Sequence, residues 1–244
     1  ACKLCYNFRQ VIFMKYNNIC RGTFIDRPNR FIANVEISGK KEVCHVKNTG
    51  RCRELLLPGA QVILEPGRTP GRKTKYDLVS VYKGTRLINM DSQAPNKIFY
   101  EYLSSGRFIS GLSYIQPEHK YGNSRFDFYC EAGRRKIFIE VKGVTLEKDN
   151  VVYFPDAPTA RGVKHLYELS EAVNCGFEAY AVFVIQMDDV LYFAPNSVTH
   201  PQFGRALLDA QSGGVNILAY DCSVLEDHIQ LKSSVPVVIS PQIT

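Results

Sequence analysis

An apolar run that contains one charged residue and is followed at once by another is the feature that most constrains the fold of this chain. Residues 137–141, Ile-Phe-Ile-Glu-Val, are bulky and largely β-branched, as in a strand buried in a sheet, and Lys142 follows directly. Residues two apart on a strand project from the same face, so Glu140 and Lys142 leave it side by side. A buried charge without a partner is costly. The run therefore predicts a buried strand whose charged side chains have a partner or hold a metal.

A second acidic residue precedes this strand at the distance of a hairpin. Asp127 lies in the run at 125–128, and the Gly-Arg pair at 133–134 marks a turn between the two strands. An antiparallel hairpin would let Asp127 and Glu140 converge on a hard cation, with Lys142 beside it. This pattern predicts metal-dependent phosphodiester hydrolysis, in which Lys142 steadies negative charge. An isolated Glu-x-Lys pattern also occurs as a solvated ion pair at a sheet edge, and the apolar context is what favours a site.

Four segments of the chain resemble the sugar fermentation stimulation protein (SfsA) family. They read Asn-Thr-Gly at 48–50, Tyr-Gly-Asn-Ser-Arg-Phe-Asp-Phe at 121–128, Ile-Glu-Val-Lys-Gly-Val-Thr-Leu at 139–146 and Tyr-Phe-Pro-Asp-Ala-Pro-Thr-Ala-Arg-Gly-Val-Lys-His-Leu-Tyr-Glu-Leu at 153–169. The resemblance implies a mixed α/β protein, in which an amino-terminal OB-like β-barrel is joined to a PD-(D/E)XK nuclease-like α/β domain, and an association with DNA. The family is named for a sugar-utilisation phenotype. A non-catalytic DNA-binding regulator of sugar (maltose-type) metabolism genes therefore stays open beside a nuclease.

The resemblance also assigns roles within the candidate site. A PD-(D/E)XK site often takes an acid from the element before its first Asp, which gives Glu118 a supporting role; a solvated loop carboxylate is the alternative. The expected catalytic residues are Asp127, Glu140, Lys142 and Glu118. The expected cofactor is Mg²⁺ or Mn²⁺, held by Asp127, Glu140 and the Val141 carbonyl.

The amino-terminal part of the chain is basic and patterned as short strands. Residues 1–90 hold 17 Lys or Arg against 6 Asp or Glu, whereas residues 91–244 hold 13 against 18. Turn signals separate β-like runs at 11–14, 21–26, 31–37, 42–45, 61–65 and 76–82. A basic OB-like barrel suits a nucleic acid, which it would recognise by shape and backbone more than by sequence, and it does not distinguish DNA from RNA. A solvated basic surface is the alternative.

Two groups of side chains are candidates for nucleic-acid contacts. In the barrel they are Arg30, Lys47, Asn48, Arg51, Arg72 and Lys73. In the second domain, a helix with Asp156 as its N-cap carries Arg161, Lys164 and His165 on one face. The same face also suits solvent exposure with an ion pair between Lys164 and Glu168.

The polar stretch at 84–95 places the domain boundary near residue 88, giving domains 1–88 and 89–244. In the second domain we predict helices at 96–104 and 203–211 and strands at 112–116, 151–154, 180–185, 190–193 and 215–220. The final strand-helix-strand sequence favours a parallel crossover. Gln186 follows one strand, so it either points towards the site or caps the strand end.

Composition indicates a cytoplasmic protein that does not enter a membrane. No run of eighteen apolar residues occurs, and the first residues lack the apolar core of a secretory signal. The eight cysteines are unevenly spaced and are expected to be reduced thiols. Cys2-x-x-Cys5 without a second such pair does not complete a zinc site. The oligomeric state stays open, with a homodimer among the alternatives.

Overall fold

The computed structural model describes residues 13–48, 50–67 and 71–239. Several sequence features lie wholly or partly outside these ranges: the Cys2–Cys5 pair, the start of the predicted strand at 11–14, Thr49, and residues 68–70, which precede Arg72 and Lys73. Within the described ranges, the six cysteines are free thiols. In the same part of the chain, no helix has both the length and the apolarity needed to cross a membrane.

A short strand, β1 (Met14–Lys15), precedes an amino-terminal barrel. The next six strands are β2 (Cys20–Asn29), β3 (Ile32–Ile37), β4 (Lys40–Val46), β5 (Gln61–Pro66), β6 (Tyr76–Lys83) and β7 (Arg86–Asn89). Antiparallel pairing runs in the order β4-β3-β2-β5-β6, and parallel pairing of β4 with β6 closes five strands into a barrel. The expected OB-like barrel is therefore confirmed.

The second domain combines strands with helices. Its elements are α1 (Ala94–Ser104), β8 (Leu112–Tyr121), β9 (Ser124–Ala132), β10 (Arg135–Val144), β11 (Leu146–Lys148), β12 (Val151–Phe154), α2 (Ala160–Asn174), β13 (Glu178–Ile185), β14 (Tyr192–Pro195), α3 (Pro201–Ser212), β15 (Asn216–Leu225) and β16 (His228–Val235). The expected mixed α/β fold class is confirmed.

A seven-stranded sheet in the order β1-β16-β15-β13-β10-β9-β8 forms the centre of this domain. β10, β13 and β15 are mutually parallel. The predicted crossover is wrong in its first strand, because β14 lies in a separate three-stranded sheet with β11 and β12, and the parallel neighbour of β15 is β13. Helix α1 buries Ile98 and Phe99 in one apolar cluster, which also holds Ile139 from β10. Helices α2 and α3 belong to the other cluster with Phe138 of β10. Because neighbouring residues on a strand face opposite ways, β10 is covered on both sides.

The structure differs from the predicted elements at several places. β1 pairs with β16 of the second domain, with Met14 opposite Ile229, and so forms an edge of the seven-stranded sheet and does not extend the barrel. The strands β7, β11 and β16 were not predicted, because two are very short and β16 is largely polar. Helix α2 begins after Thr159, whose hydroxyl accepts a hydrogen bond from the Gly162 N–H at 3.0 Å. The predicted N-cap, Asp156, instead accepts from the Arg51 N–H at 2.8 Å.

Candidate active site

A tight antiparallel hairpin places the two predicted carboxylates together. β9 and β10 are joined at Gly133, whose φ of +63° lies in the region that glycine adopts at little cost. Ile139 pairs with Phe128, so Glu140 and Asp127 are the next neighbours along the ladder. Glu140 is only 4 % exposed and Asp127 is half-buried. The two acidic side chains therefore lie next to each other with little access to solvent, as the sequence pattern predicted.

Asp127 is held by two hydrogen bonds. Its Oδ2 accepts from the Val141 N–H at 2.7 Å, and its Oδ1 accepts from Asn96 Nδ2, in the first turn of α1, at 2.8 Å. Burial, together with the negative charge of Glu140, raises the pKa of Asp127 to about 6, although Lys142 and the two hydrogen bonds oppose the rise. A carboxyl with this pKa is readily deprotonated by a nearby cation.

Glu140 has one satisfied oxygen and one unsatisfied oxygen. Its Oε1 lies against both Lys142 Nζ and His165 Nδ1. Its Oε2 is buried, and no hydrogen-bond partner for it exists among the described residues. Burial alone would raise the pKa of Glu140, but the hydrogen bond from His165 and the charge of Lys142 lower it below its ordinary value. Glu140 therefore keeps its negative charge.

His165 supports Glu140 through a hydrogen bond. The ring is 3 % exposed, and its Nε2 accepts a hydrogen bond from Arg161 Nε at 3.3 Å. Nε2 is then the unprotonated nitrogen, and Nδ1 carries the proton that is donated to Glu140. We predicted His165 as a contact to nucleic acid, but this buried position makes it a support of Glu140.

The donor set fits a hard divalent cation. Two adjacent carboxylates are present, and the unpartnered Glu140 Oε2 is an atom that a cation would satisfy. No group of three or more His, Cys, Asp or Glu side chains is placed to hold a metal within the described ranges. Mg²⁺ is commonly bound by only one or two carboxylates, with water and substrate phosphate as further ligands. The site therefore suits a cation that is shared with a phosphate.

Glu118 lies outside the hydrogen-bonded group that contains Asp127 and Glu140. It lies on β8 between Pro117 and His119, which pair with Phe128 and Phe126, so it is level with Asp127 across the strands. Its backbone has a φ of +54°, and its side chain is 61 % exposed and ion-paired with Arg125 at 3.2 Å. In this structure Glu118 faces solvent and Arg125, and does not join the hydrogen bonds of the two buried carboxylates.

The predicted barrel contacts fall into two classes. Arg30, Arg51 and Lys73 are exposed, and the Arg30 guanidinium lies over the Phe31 ring at 4.7 Å. Lys47 Nζ is instead 2.5 Å from Asp91 Oδ2, whose side chain is fully buried. Arg72 is committed as well, through a two-pronged pairing of its guanidinium with Asp77 at 2.5 and 3.0 Å. The exposed side chains of Arg30, Arg51 and Lys73 can reach a phosphate. Lys47 and Arg72 are instead paired with carboxylates of the protein itself.

On the α2 face, Arg161 and Lys164 are exposed. Lys164 Nζ lies 3.5 Å from Glu168, the ion pair that was the alternative prediction, and 3.4 Å from the Asn123 carbonyl. Such a surface pair is worth little energetically, so it leaves Lys164 available to a phosphate.

Two residues at the site were not predicted. Asn96 donates to Asp127, and only its position in the first turn of a helix beside the domain boundary hinted at a role. Arg27 donates to four backbone carbonyls, those of residues 30, 48, 50 and 51, and so holds the loop that carries Asn48 and Arg51. In the sequence Arg27 is one of many basic residues. No sequence pattern indicates that a side chain will donate to backbone carbonyls, so this role could not be predicted.

Gln186 adopts the second of its two predicted roles. It is 1 % exposed, and its Nε2 donates to Asn89 Oδ1 at 2.8 Å and to the Asp91 carbonyl at 3.0 Å. It therefore caps the end of β13 and ties the second domain to the residues that connect the two domains.

An OB-like barrel joined to an α/β domain whose central hairpin presents two carboxylates and a lysine defines the class of this protein. The chain belongs to the sugar fermentation stimulation protein family. Residues 93–228 match the family model described as "Sugar fermentation stimulation protein RE domain", and residues 25–90 match "SfsA N-terminal OB domain".

Similar proteins cover most of the chain. A sugar fermentation stimulation protein homolog of Desulfitobacterium hafniense is 64% identical over 217 residues, which are 89% of this chain and 95% of that protein. A homolog of Clostridium beijerinckii is 57% identical over 226 residues, covering 93% and 100%. The solved structure of Pyrococcus furiosus SfsA in complex with Ca²⁺ is 28% identical, with a TM-score of 0.84 over 93% of this chain and 98% of that one.

Proposed function

We propose that this chain binds DNA and hydrolyses phosphodiester bonds with the help of Mg²⁺ or Mn²⁺. The observation that carries the proposal is the pair of the half-buried Asp127 and the buried Glu140, in which Asp127 has a raised pKa and Glu140 has an oxygen without a partner among the described residues. A structural pair would be expected to satisfy all its oxygens. The Pyrococcus furiosus SfsA structure is a complex with Ca²⁺, a cation that also prefers oxygen ligands, and this supports the binding of a divalent cation by this chain.

Asp127, Glu140 and the Val141 carbonyl would hold the cation. When bound, it supplies positive charge that polarises the phosphate and makes water a better nucleophile. Hydrolysis forms a bond from the water oxygen to phosphorus and breaks the bond from phosphorus to the leaving sugar oxygen. The two protons of the water pass to solvent and to the leaving oxygen, so that atoms and charge balance.

The protein's own side chains prepare this reaction. Lys142 is 24 % exposed and lies beside Glu140, where its ammonium can donate to a phosphate oxygen and stabilise the charge that grows there. His165 holds Glu140 Oε1, so that Oε2 is the oxygen presented for binding. Asn96 and the Val141 N–H hold Asp127 in the same way. These contacts orient both carboxylates before substrate arrives.

The exposed cations extend from the barrel to the second domain. Arg51 is exposed, and its backbone N–H is bonded to Asp156, just before α2. Arg161 and Lys164 are exposed on the first turns of that helix. With Arg30 on the barrel, these side chains would contact the phosphates of a strand that passes the carboxylates.

The test is cleavage of end-labelled single-stranded, duplex and branched DNA with Mg²⁺ or Mn²⁺. Wild type should cleave at least one substrate, and Lys142→Ala should lose cleavage while it binds DNA as before. Lys136→Ala is a matched control, because Lys136 is an exposed lysine at the opposite end of the same strand. It should cleave like wild type.

Binding of DNA without cleavage of any substrate would contradict the proposal and favour the DNA-binding regulator. Competition with unlabelled RNA separates the remaining alternative. A protein that prefers RNA would be displaced from DNA by RNA at lower concentration than by DNA itself.

A further inference from the structure

A cleft of about 310 Å³ lies between the barrel and the second domain. Its walls come from the barrel loop near Asn48, the connection at Ser92, the strand end at Gly143 and Thr145, and the segment 153–159. Pockets of roughly 300–1,000 Å³ hold small ligands in proteins. The volume therefore suits a single small group and excludes a duplex.

The cleft and the candidate active site are connected through strand β10. Gly143 directly follows Lys142 on β10 and lines the cleft. A Cβ on Gly143 would lie 2.6 Å from Gln186 Oε1 and 2.7 Å from the Pro95 side chain, so this close approach requires glycine. Pro95 is next to Asn96, which holds Asp127. The cleft and the candidate active site therefore share strand β10, with the cleft at the end of the strand that follows Lys142.

The polar lining is suited to a neutral ring and not to a phosphate. Asp156 is the only charged residue that lines the cleft within the described residues, and its negative charge repels an anion. The half-buried ring of Tyr153 provides a surface against which a planar ligand can stack, whereas the Phe154 ring packs against Phe183 and Phe203. The lining therefore selects an uncharged aromatic group.

The hydrogen-bonding groups fit the edge of a base. Asn48 uses Oδ1 to accept from the Gly50 N–H at 2.7 Å, which leaves its amide nitrogen as a donor. Gln186 uses Nε2 for two internal bonds, which leaves Oε1 as an acceptor. Asp156 adds a second acceptor. One donor with two acceptors complements a base that carries an amino group, such as cytosine or adenine.

We propose that this cleft receives an unstacked nucleobase from the DNA strand held at Asp127 and Glu140. The inference rests on the proposed function, since it needs a bound strand. Taking a base out of a duplex costs least where the base is mismatched or already unpaired. The protein therefore acts on DNA that has an unpaired base next to the scissile phosphate.

The test uses 2-aminopurine, an adenine analogue whose fluorescence changes when it leaves a base stack. It is placed at successive positions of a single strand and of a mismatched duplex, and the full chain is titrated into each. Wild type should change the fluorescence at one position. Ala157→Trp, which puts an indole into the cleft, should abolish that change, whereas Ala160→Trp on the exposed start of α2 should not. Ser92→Trp fills the cleft from the opposite wall and serves if Ala157→Trp does not fold.

The outcomes separate this inference from the proposed function. DNA that is bound and cleaved with no fluorescence change at any position would overturn the base-binding cleft alone. So would a full change in both cleft-filling variants. Failure of wild type to bind any DNA would overturn the proposed function, and the cleft assignment with it.

Discussion

Replacing Asp127 by Asn should make the metal-free protein more stable at alkaline pH. Folding raises the pKa of Asp127 from 3.8 to about 6. At pH 8 the folded protein therefore holds an unfavourable charge that costs about 3 kcal/mol, because each pKa unit corresponds to ~1.4 kcal/mol. Partial exposure of Asp127 reduces this to about 2 kcal/mol. The Asn side chain has one acceptor where the carboxylate has two, and losing one hydrogen bond costs about 1 kcal/mol.

The sign of the effect follows from proton binding. Between pH 4 and 6 the folded wild type keeps the proton on Asp127 that the unfolded chain has lost, so its stability falls as pH rises through this window. Asn does not titrate. The free energy of unfolding of Asp127→Asn relative to wild type should therefore rise by about 2 kcal/mol from pH 4 to pH 8 and become positive at the upper end.

Urea denaturation in EDTA at several pH values measures this difference. Asp189→Asn is the control, because it makes the same substitution at an exposed aspartate whose side chain is 81% accessible. Addition of Mg²⁺ at pH 8 should stabilise wild type and leave Asp127→Asn unchanged. A relative stability of Asp127→Asn that stays constant from pH 4 to pH 8 would refute the account of Asp127 as a carboxyl whose pKa is raised by burial and by Glu140.

Three further predictions concern other parts of the molecule. His165→Ala should weaken Mn²⁺ binding by about 10–100-fold in calorimetric titration, since Glu140 loses its support, and should leave the salt dependence of DNA binding unchanged; equal Mn²⁺ affinity would contradict this. Lys47→Met should lower the free energy of unfolding by about 3 kcal/mol or more, because Asp91 stays buried without its cation; a neutral result in urea denaturation would contradict the buried pair. Lys73→Ala should reduce the slope of log K against log salt by about 1 if Lys73 contacts a phosphate, and an unchanged slope would remove it from the interface.

The hairpin that carries the site could be predicted from local pattern alone. Alternation along residues 137–142 placed Glu140 and Lys142 on one face, and the glycine at 133 placed Asp127 on the facing strand. These inferences needed only the strand period and turn chemistry, which act over a few residues.

The partners of the charged residues could not be predicted in this way. Lys47, Arg72 and His165 each looked like a free cation or ring, and each is bound to an acid that lies between 5 and 44 residues away. An ion pair of this kind depends on how whole elements pack. The number of residues between two charged side chains does not indicate whether they form such an ion pair. A count of basic residues therefore overestimates the positively charged surface that is available to a polyanion.

The sequence by itself determined the two kinds of domain, the order of most elements and the carboxylate–lysine hairpin, because strand and helix periods and turn residues are local properties. The tertiary structure alone decided that the first strand joins the far sheet, that Asn96 and His165 orient the carboxylates, and that a cleft opens beside Gly143. These features arise where distant segments meet, and only the packing of the complete chain specifies which segments do so.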